Sequence, residues 1–380
     1  MQAAIENPQL RILHVLTLNS RNGEYGGPVR VARELCAELS ERGHSTHIFS
    51  GAHRGSEPQP KNGQSESYVY VRPITRKLPV SSLWSWKLVK QVKKLIKNSD
   101  LVHIHFARDL IPFLAAFLAM VYRKPFITQT HGMIISDGRM STRVTDLLLT
   151  RPLINRSKTN LVLTEFELSA VTKLKIKSKS FILPNGIAVE KIATKIQGLK
   201  NRVGFCSRLD KRKGIDKFIE LAYEYRNYGI KFDVYGPDAG ELDFLKSQIA
   251  SRELSGILEY KGALQAAEVQ SIISDLDILV LPSKDEPFPM VVLEALAVGI
   301  PVLVMPSCGF SNSLRGFNSD FVAQSEDLLG LTSSFEIQRL NQFKSKSQED
   351  IRTFCRGSFG ISFVVDKLLN TYRSVLASDI

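Results

Sequence analysis

The run DEPFPMVVLEALAVGIP at 285–301 carries two glutamates, Glu286 and Glu294, eight residues apart around a Phe-Pro pair. Paired carboxylates can serve as acid and base on one bond, or they can hold hydroxyl groups at two ends of one ligand. Pro287 and Pro289 exclude a regular helix before about Met290, which leaves Glu286 in a stiff loop. Glu294 falls just over one turn into the helix MVVLEALAV, near its unpaired amides, unless it is only the solvent-facing glutamate of an ordinary capped helix. Cations come from FCSRLDKRKGIDKFIELA at 205–222, where Arg208 follows a strand and Lys213 stands five residues on, before Gly214 and a helix. An arginine fork and a lysine point charge on one strand-to-helix loop can bracket a diphosphate. Lys211 and Arg212 beside them read as surface charge.

Upstream, GEYGGPVRVARE follows a strand and opens a helix; Gly26 and Gly27 let a ligand approach the backbone at a helix N-terminus. The spacing falls short of a full dinucleotide fingerprint, so a plain glycine turn is an equal alternative. His131 ends a strand in QTHGM, with Gly132 after it. An imidazole there can donate to a substrate hydroxyl or exchange a proton near neutrality, although a lone histidine is more often structural. His103 and His105 alternate in LVHIHF and share a strand face, but no third ligand accompanies them, which favours a structural role over a metal site. Asp275 and Asp277 have the DxD spacing of a manganese-nucleotide site, yet in SDLDILVLPS they read as a helix end and a strand start.

These residues need rigid elements behind them. RILHVLTL, STHIFSG, YVYVRPI, DLVHIHF, KPFITQTHG and NLVLTEF are strand candidates separated by helical stretches. The same grammar restarts near KSFILPNGI at 179–187 and continues through NRVGFCSRL, IKFDVYGP, ILEYKGAL, LDILVLPS and IPVLVMPS. Strands alternating with helices predict parallel, doubly wound sheets, hence an α/β protein of two Rossmann-like domains with a ligand cleft between them. The expected boundaries are 1–183, 184–360 and a last helix at 361–380 that packs back on the first domain.

At 380 residues, 43% hydrophobic and 23% charged, the chain is a folded two-domain protein in composition. No signal-peptide pattern opens it, and its longest apolar run, 13 residues at 110–122, falls short of the ~20 that span a bilayer. Four scattered cysteines with no CxxC pair read as the reduced thiols of a cytoplasmic protein. Charge is one-sided: +14 over residues 1–183 against −2 over 184–380. Such a field predicts an anionic partner for the first half, and without zinc-finger spacing or RNP-like motifs that partner is not nucleic acid. In SLWSWKLVKQVKKLIKN, Lys87, Lys90, Lys93, Lys94 and Lys97 surround an apolar stripe of Leu88, Val92, Leu95 and Ile96, with Trp84 and Trp86 at its start. This is either a core-packed helix with a solvated outer face or a surface helix resting on anionic lipid.

Taken in order, GG after the first strand, HG midway, PNG at the boundary, SRLDKRKG, and E-x7-E before ALAVGIPV resemble family 4 of the retaining, nucleotide-sugar-dependent glycosyltransferases, over roughly residues 11–305. The resemblance implies the GT-B architecture of two Rossmann-like domains facing across a cleft. It implies that Arg208 and Lys213 bind the donor diphosphate, that Glu294 binds the ribose and Glu286 the transferred sugar, with amides around Phe288, Met290 and Val291 assisting. Gly26 and Gly27 would lie near the diphosphate and acceptor, His131 near the reacting sugar, and Asn185 and Gly186 along the cleft. It implies no cofactor and no metal, a UDP- or GDP-sugar as donor and a glycan or lipid-linked glycan as acceptor; with the cysteine usage and the lysine-ringed helix, the expectation is a cytoplasmic enzyme, peripheral on the inner membrane face. After the second strand-like run the family often has a glycine pair and a glutamate, where this chain reads MPSCGFSNSLRGFNSD, so a donor contact there is in doubt. The rival readings are a GT-B-like epimerase or phosphorylase, or an inactive binding protein of that fold.

Overall fold

Short apolar runs rich in β-branched residues, flanked by turns, suit strands buried on both faces, and in the computed structural model they form two parallel sheets. The structure describes residues 8–20, 26–60, 63–73, 83–135, 138–192, 199–265, 268–309, 311–341 and 346–377. The chain divides into two compact units, Met1–Gly186 with Ile361–Ile380, and Ile187–Gly360.

The first unit contains, in order, β1 (Arg11–Leu18), α1 (Gly26–Glu41), β2 (Ser45–Ala52), β3 (Glu66–Tyr70), β4 (Arg72–Pro73), β5 (Leu83–Trp84), α2 (Trp86–Asn98), β6 (Leu101–His105), α3 (Leu110–Val121) and β7 (Phe126–Gln129). There follow α4 (Met140–Thr145), a π-helical turn (Asp146–Thr150), α5 (Arg151–Arg156), β8 (Thr159–Val162), α6 (Glu165–Lys173) and β9 (Ser180–Ile182). Seven strands lie in the order β3-β2-β1-β6-β7-β8-β9, all parallel. The segment SFI, the last strand before the expected boundary at 183/184, closes this sheet beside β8. Alternation divides the side chains between two layers: Leu13, Val15, Val102 and Ile104 join the core under α2, α3 and α5, whereas Leu16 and Ile48 pack with Val29, Ala32 and Cys36 of α1.

The second unit contains β10 (Arg202–Cys206), α7 (Ile215–Glu224), β11 (Lys231–Tyr235), α8 (Leu242–Ser251), β12 (Leu258–Gly262), α9 (Val269–Ser274), β13 (Ile278–Leu281), α10 (Met290–Val298) and β14 (Val302–Val304). Helices α11 (Ser311–Phe317), α12 (Leu328–Leu340) and α13 (Gln348–Phe359) follow. Its five strands run parallel in the order β12-β11-β10-β13-β14. The final helix, α14 (Ile361–Ala377), belongs to the first unit, where Arg42 at the end of α1 pairs with Asp366 and donates to Ser362 O at 2.9 Å.

Candidate functional site

In open parallel sheets, ligands bind beyond the carboxyl ends of the strands where the strand order reverses. In the second unit that point lies between β10 and β13, and the loops leaving these two strands carry Arg208, Lys213 and Glu286. The first loop tightens into a 3-10 turn at Lys211–Lys213, with Asp210 accepting from Arg212 N–H at 2.9 Å. It exits through Gly214 at φ 76°, where a Cβ would stand 2.2 Å from Pro282 O. Only glycine lets the two loops close to this distance, and Lys284 N–H donates to Arg212 O at 2.9 Å across the same seam. The Lys213 ammonium pairs with the Glu286 carboxylate, their side chains only 12% and 13% exposed. Arg208 stays at the surface with Lys211 and Arg212. Asp285 adopts the left-handed region at φ 50°, its amide donating to Ser307 Oγ at 3.0 Å, and Gly309 N–H donates to Glu286 O at 2.8 Å. Such a conformation costs a non-glycine residue energy and persists where the surroundings fix it.

Helix α10 starts at Met290, behind Pro289, with no side-chain cap. Phe288 is buried, while Met290 and Val291 are half-buried. Glu294 is 4% exposed, so the solvent-facing alternative does not describe it. Apolar residues cover the helix all round, as in a core helix, and the glutamate is buried with them. Burial and the Glu294 charge push the Cys206 thiol, at the end of β10, up to about 12, which places that carboxylate beside the same strand reversal. Asp275 and Asp277 lie at the other end of β13: Asp277 accepts Arg202 N–H at 2.7 Å, and Asp275 pairs with Lys200 at 2.5 Å. They tie strand ends together, as their position in the sequence implied.

In the first unit the order reverses between β1 and β6. Thr17 donates to Asp109 there at 2.8 Å, and burial raises the Asp109 carboxyl above its usual range. His131 follows β7 at φ 49°, with Gly132 at φ 74°. Their turn is held by Glu167, a buried carboxylate on α6 that accepts from Gly132 N–H and Thr130 Oγ–H, each at 2.5 Å, and from Leu163 N–H at 2.7 Å. Glu167 was not singled out from sequence. Its signal was the capping-box pattern Thr164-x-x-Glu167, whose threonine does cap α6 while the glutamate turns to the histidine loop.

The expectation that His103 and His105 lack a third partner is corrected by His14 on β1, because one ring nitrogen from each of the three lies within 4.8 Å of the other two. Tetrahedral zinc would need nitrogens about 3.4 Å apart. Here both nitrogens of His105 are engaged by other rings, Nε2 with His14 Nδ1 at 3.1 Å and Nδ1 with His131 Nε2 at 2.7 Å, and His103 Nδ1 meets Tyr372 Oη at 2.7 Å. The cluster is a hydrogen-bonded ladder of imidazoles, and it fits a metal poorly. Burial lowers His14 and His131 to about 3 and holds His103 and His105 well below the ordinary range, so all are neutral near pH 7.

Gly26 opens α1, and among the described residues a Cβ on Gly27 would meet nothing within 4 Å; residues 21–25 of that loop lie outside them. Asn185 is buried. A Cβ on Gly186 would meet Ile361 Cδ1 at 2.7 Å, so this glycine makes room for α14. Arg208, Lys213, Glu286, Phe288, Met290, Val291 and Glu294 thus gather in the second unit, and Gly26, Gly27, His131, Asn185 and Gly186 belong to the first.

Two family models match the chain: "Glycosyltransferase Family 4" over residues 25–191 and "Glycosyl transferases group 1" over 188–328. An uncharacterized glycosyltransferase of Methanocaldococcus jannaschii is 24% identical over 76% of this chain and 79% of its own. The D-inositol 3-phosphate glycosyltransferase of Pseudarthrobacter chlorophenolicus is 21% identical over 82% of each. Among solved structures, Anabaena HepE, in complex with UDP and glucose, superposes with a TM-score of 0.76 over 96% of this chain and all of its own, at 16% identity.

Proposed function

The chain belongs to the family 4 glycosyltransferases, and from that premise we propose that it transfers a hexose-type sugar, with retention and without a metal, from a nucleoside-diphosphate sugar to a glycolipid, lipid-linked oligosaccharide or polysaccharide. The observation that carries this reading is the convergence of Arg208, Lys213, Glu286 and buried Glu294 around one strand reversal. A nucleotide sugar is long, with a diphosphate between two hydroxyl-rich ends, and the site offers cations between two carboxylates. Glu294 would take the ribose and Glu286 the sugar hydroxyls. Because Glu286 neutralises Lys213, net positive charge for the departing diphosphate comes from Arg208 and the α10 amides, with Lys213 held in place by its partner. A neutral His131 suits hydrogen bonding to the reacting sugar better than charge stabilisation. The departing phosphate would take the acceptor's proton on the same face. HepE was solved with UDP, which makes UDP-sugars the first donors to test.

The acceptor falls to the first unit, where the excess charge sits, and an anionic membrane surface suits its outer helices. On α2 the stripe Leu88, Val92 and Ile96 is buried, the five lysines stay exposed, and Trp86 is 85% exposed. Beyond it, Met140, Val144, Leu147 and Leu148 are exposed at helical spacing, with Arg139 and Arg143 among them. Their outward aim follows from Asp146 and Thr150, which are buried on the opposite side, Asp146 pairing with Arg108 at 2.7 Å. Among the described residues no helix is long and apolar enough to cross a membrane.

The test is a panel of nucleotide sugars scored by thermal shift and by product. One donor should raise the melting temperature and be consumed, and Lys213→Ala should lower transfer at least about 100-fold while circular dichroism is unchanged. Near-normal transfer in that variant removes Lys213 from the diphosphate site.

A further inference from the structure

His131 differs from the other site residues in that its role turns on the position of one proton: a neutral imidazole donates from one nitrogen and accepts at the other. Resting on the reading that His131 faces the reacting sugar, we propose that His105 and His14 are positioning residues that fix its tautomer and make it present Nδ1–H outward.

The argument is one of proton counting along the ladder. His131 Nε2 meets His105 Nδ1 at 2.7 Å, and His105 Nε2 meets His14 Nδ1 at 3.1 Å. Three neutral rings hold three N–H groups, and each of the two contacts needs one. The protons must therefore all run in the same direction. Running inward, His131 Nε2–H donates to His105, His105 Nε2–H donates to His14, and the last proton sits on His14 Nε2. Running outward, His14 Nδ1–H donates to His105, His105 Nδ1–H donates to His131, and the last proton sits on His131 Nδ1.

The inner end decides between them. His14 is completely buried, and among the described residues its Nε2 has no hydrogen-bond partner. His103 gives no relief: its ring lies 4.7 Å from that of His14, but among the described residues no hydrogen bond joins His14 Nε2 to it, and its Nδ1 is engaged by Tyr372. The inward order would strand an N–H in the core, and orphaned buried donors are rarer than under-satisfied acceptors. The outward order leaves only a lone pair there and delivers the proton to His131, the least buried residue of the three. The geometry is rigid enough to enforce this, because His14 is in register with His103 and His105 with Gln129 on paired parallel strands, and Glu167 fixes the backbone on either side of His131.

Long-range proton–nitrogen correlation spectra of the nitrogen-15-labelled full chain near neutral pH read the tautomer directly, with the His131 signals assigned by their loss in His131→Ala. Nδ1–H is expected at His131. His14→Phe, a change remote from the site, should mix the tautomers and slow turnover roughly tenfold with little change in donor KM. His14→Gln, whose amide keeps a donor toward His105, should restore both. Nε2–H at His131 in the natural protein overturns the proposal, as does an unmoved His131 tautomer in His14→Phe. The first of these results needs no variant at His14. Full transfer by His131→Ala would instead remove His131 from the reacting sugar while leaving the tautomer result standing.

Discussion

Burial without charge is the common condition of His14, His103, His105 and His131, and it has a measurable pH signature. In the unfolded chain His14, His103, His105 and His131 titrate near the ordinary value of about 6.5; in the fold burial holds each far below it. The unfolded state therefore binds more protons below about pH 6.5, so the stability these groups contribute is full above that pH and is lost as the pH falls toward the folded values. Each can contribute up to about 1.4 kcal/mol per pH unit. Melting temperature should be flat above about pH 7 and fall between about pH 6.5 and 5, with a shallower fall in His14→Phe. Equal slopes would mean that His14 titrates normally in the fold. At this scale the placement of Arg208, Lys213 and Glu286 on two loops, and of Glu294 on the helix after them, was legible: cation spacing on one loop and two prolines before a helix are local patterns. His14 and Glu167 were not, because each gains its meaning from a neighbour on another strand or turn, and only register brings those together.

Among elements, the seam between the loops after β10 and β13 decides whether Lys213 and Glu286 can meet. Gly214 closes it, with both a left-handed φ of 76° and a contact that a Cβ would place 2.2 Å from a backbone oxygen. Gly214→Ala should destabilise the protein by about 2–4 kcal/mol and reduce transfer even where the protein is still folded. Chemical denaturation and a transfer assay on one preparation check both, and an alanine variant with natural stability would show that the seam can open. The start of α10 could be read from Pro287 and Pro289, and its end from Gly299, which takes φ 84°. The boundary at 183/184, read from the Pro-Asn-Gly turn, leaves SFI in the first domain, but its pairing with β8 could not be read, because a short strand before a turn carries no mark of its neighbour in the sheet.

For the whole molecule, the excess of +14 over residues 1–183 sets what the protein approaches before any specific contact forms. If the outer helices of the first unit rest on lipid, the protein should co-sediment with vesicles containing anionic phosphatidylglycerol at low salt and release as salt rises. Leu147→Asp with Leu148→Asp should weaken this without lowering the melting temperature, since both residues are exposed. Sedimentation independent of anionic lipid would end that reading. The α/β class was readable from alternation alone, since parallel strands need crossover helices. The closure of the first unit by α14 has a different consequence, for synthesis. Tyr372 on that helix is buried against His103, yet the ribosome must add roughly 190 residues after Gly186 before the helix is complete. At about 5–20 residues per second this takes roughly 10–40 s. The unit translated first is thus completed only after the second, and until α14 arrives a nascent chain must cover the patch of its opening sheet around His103 with something else.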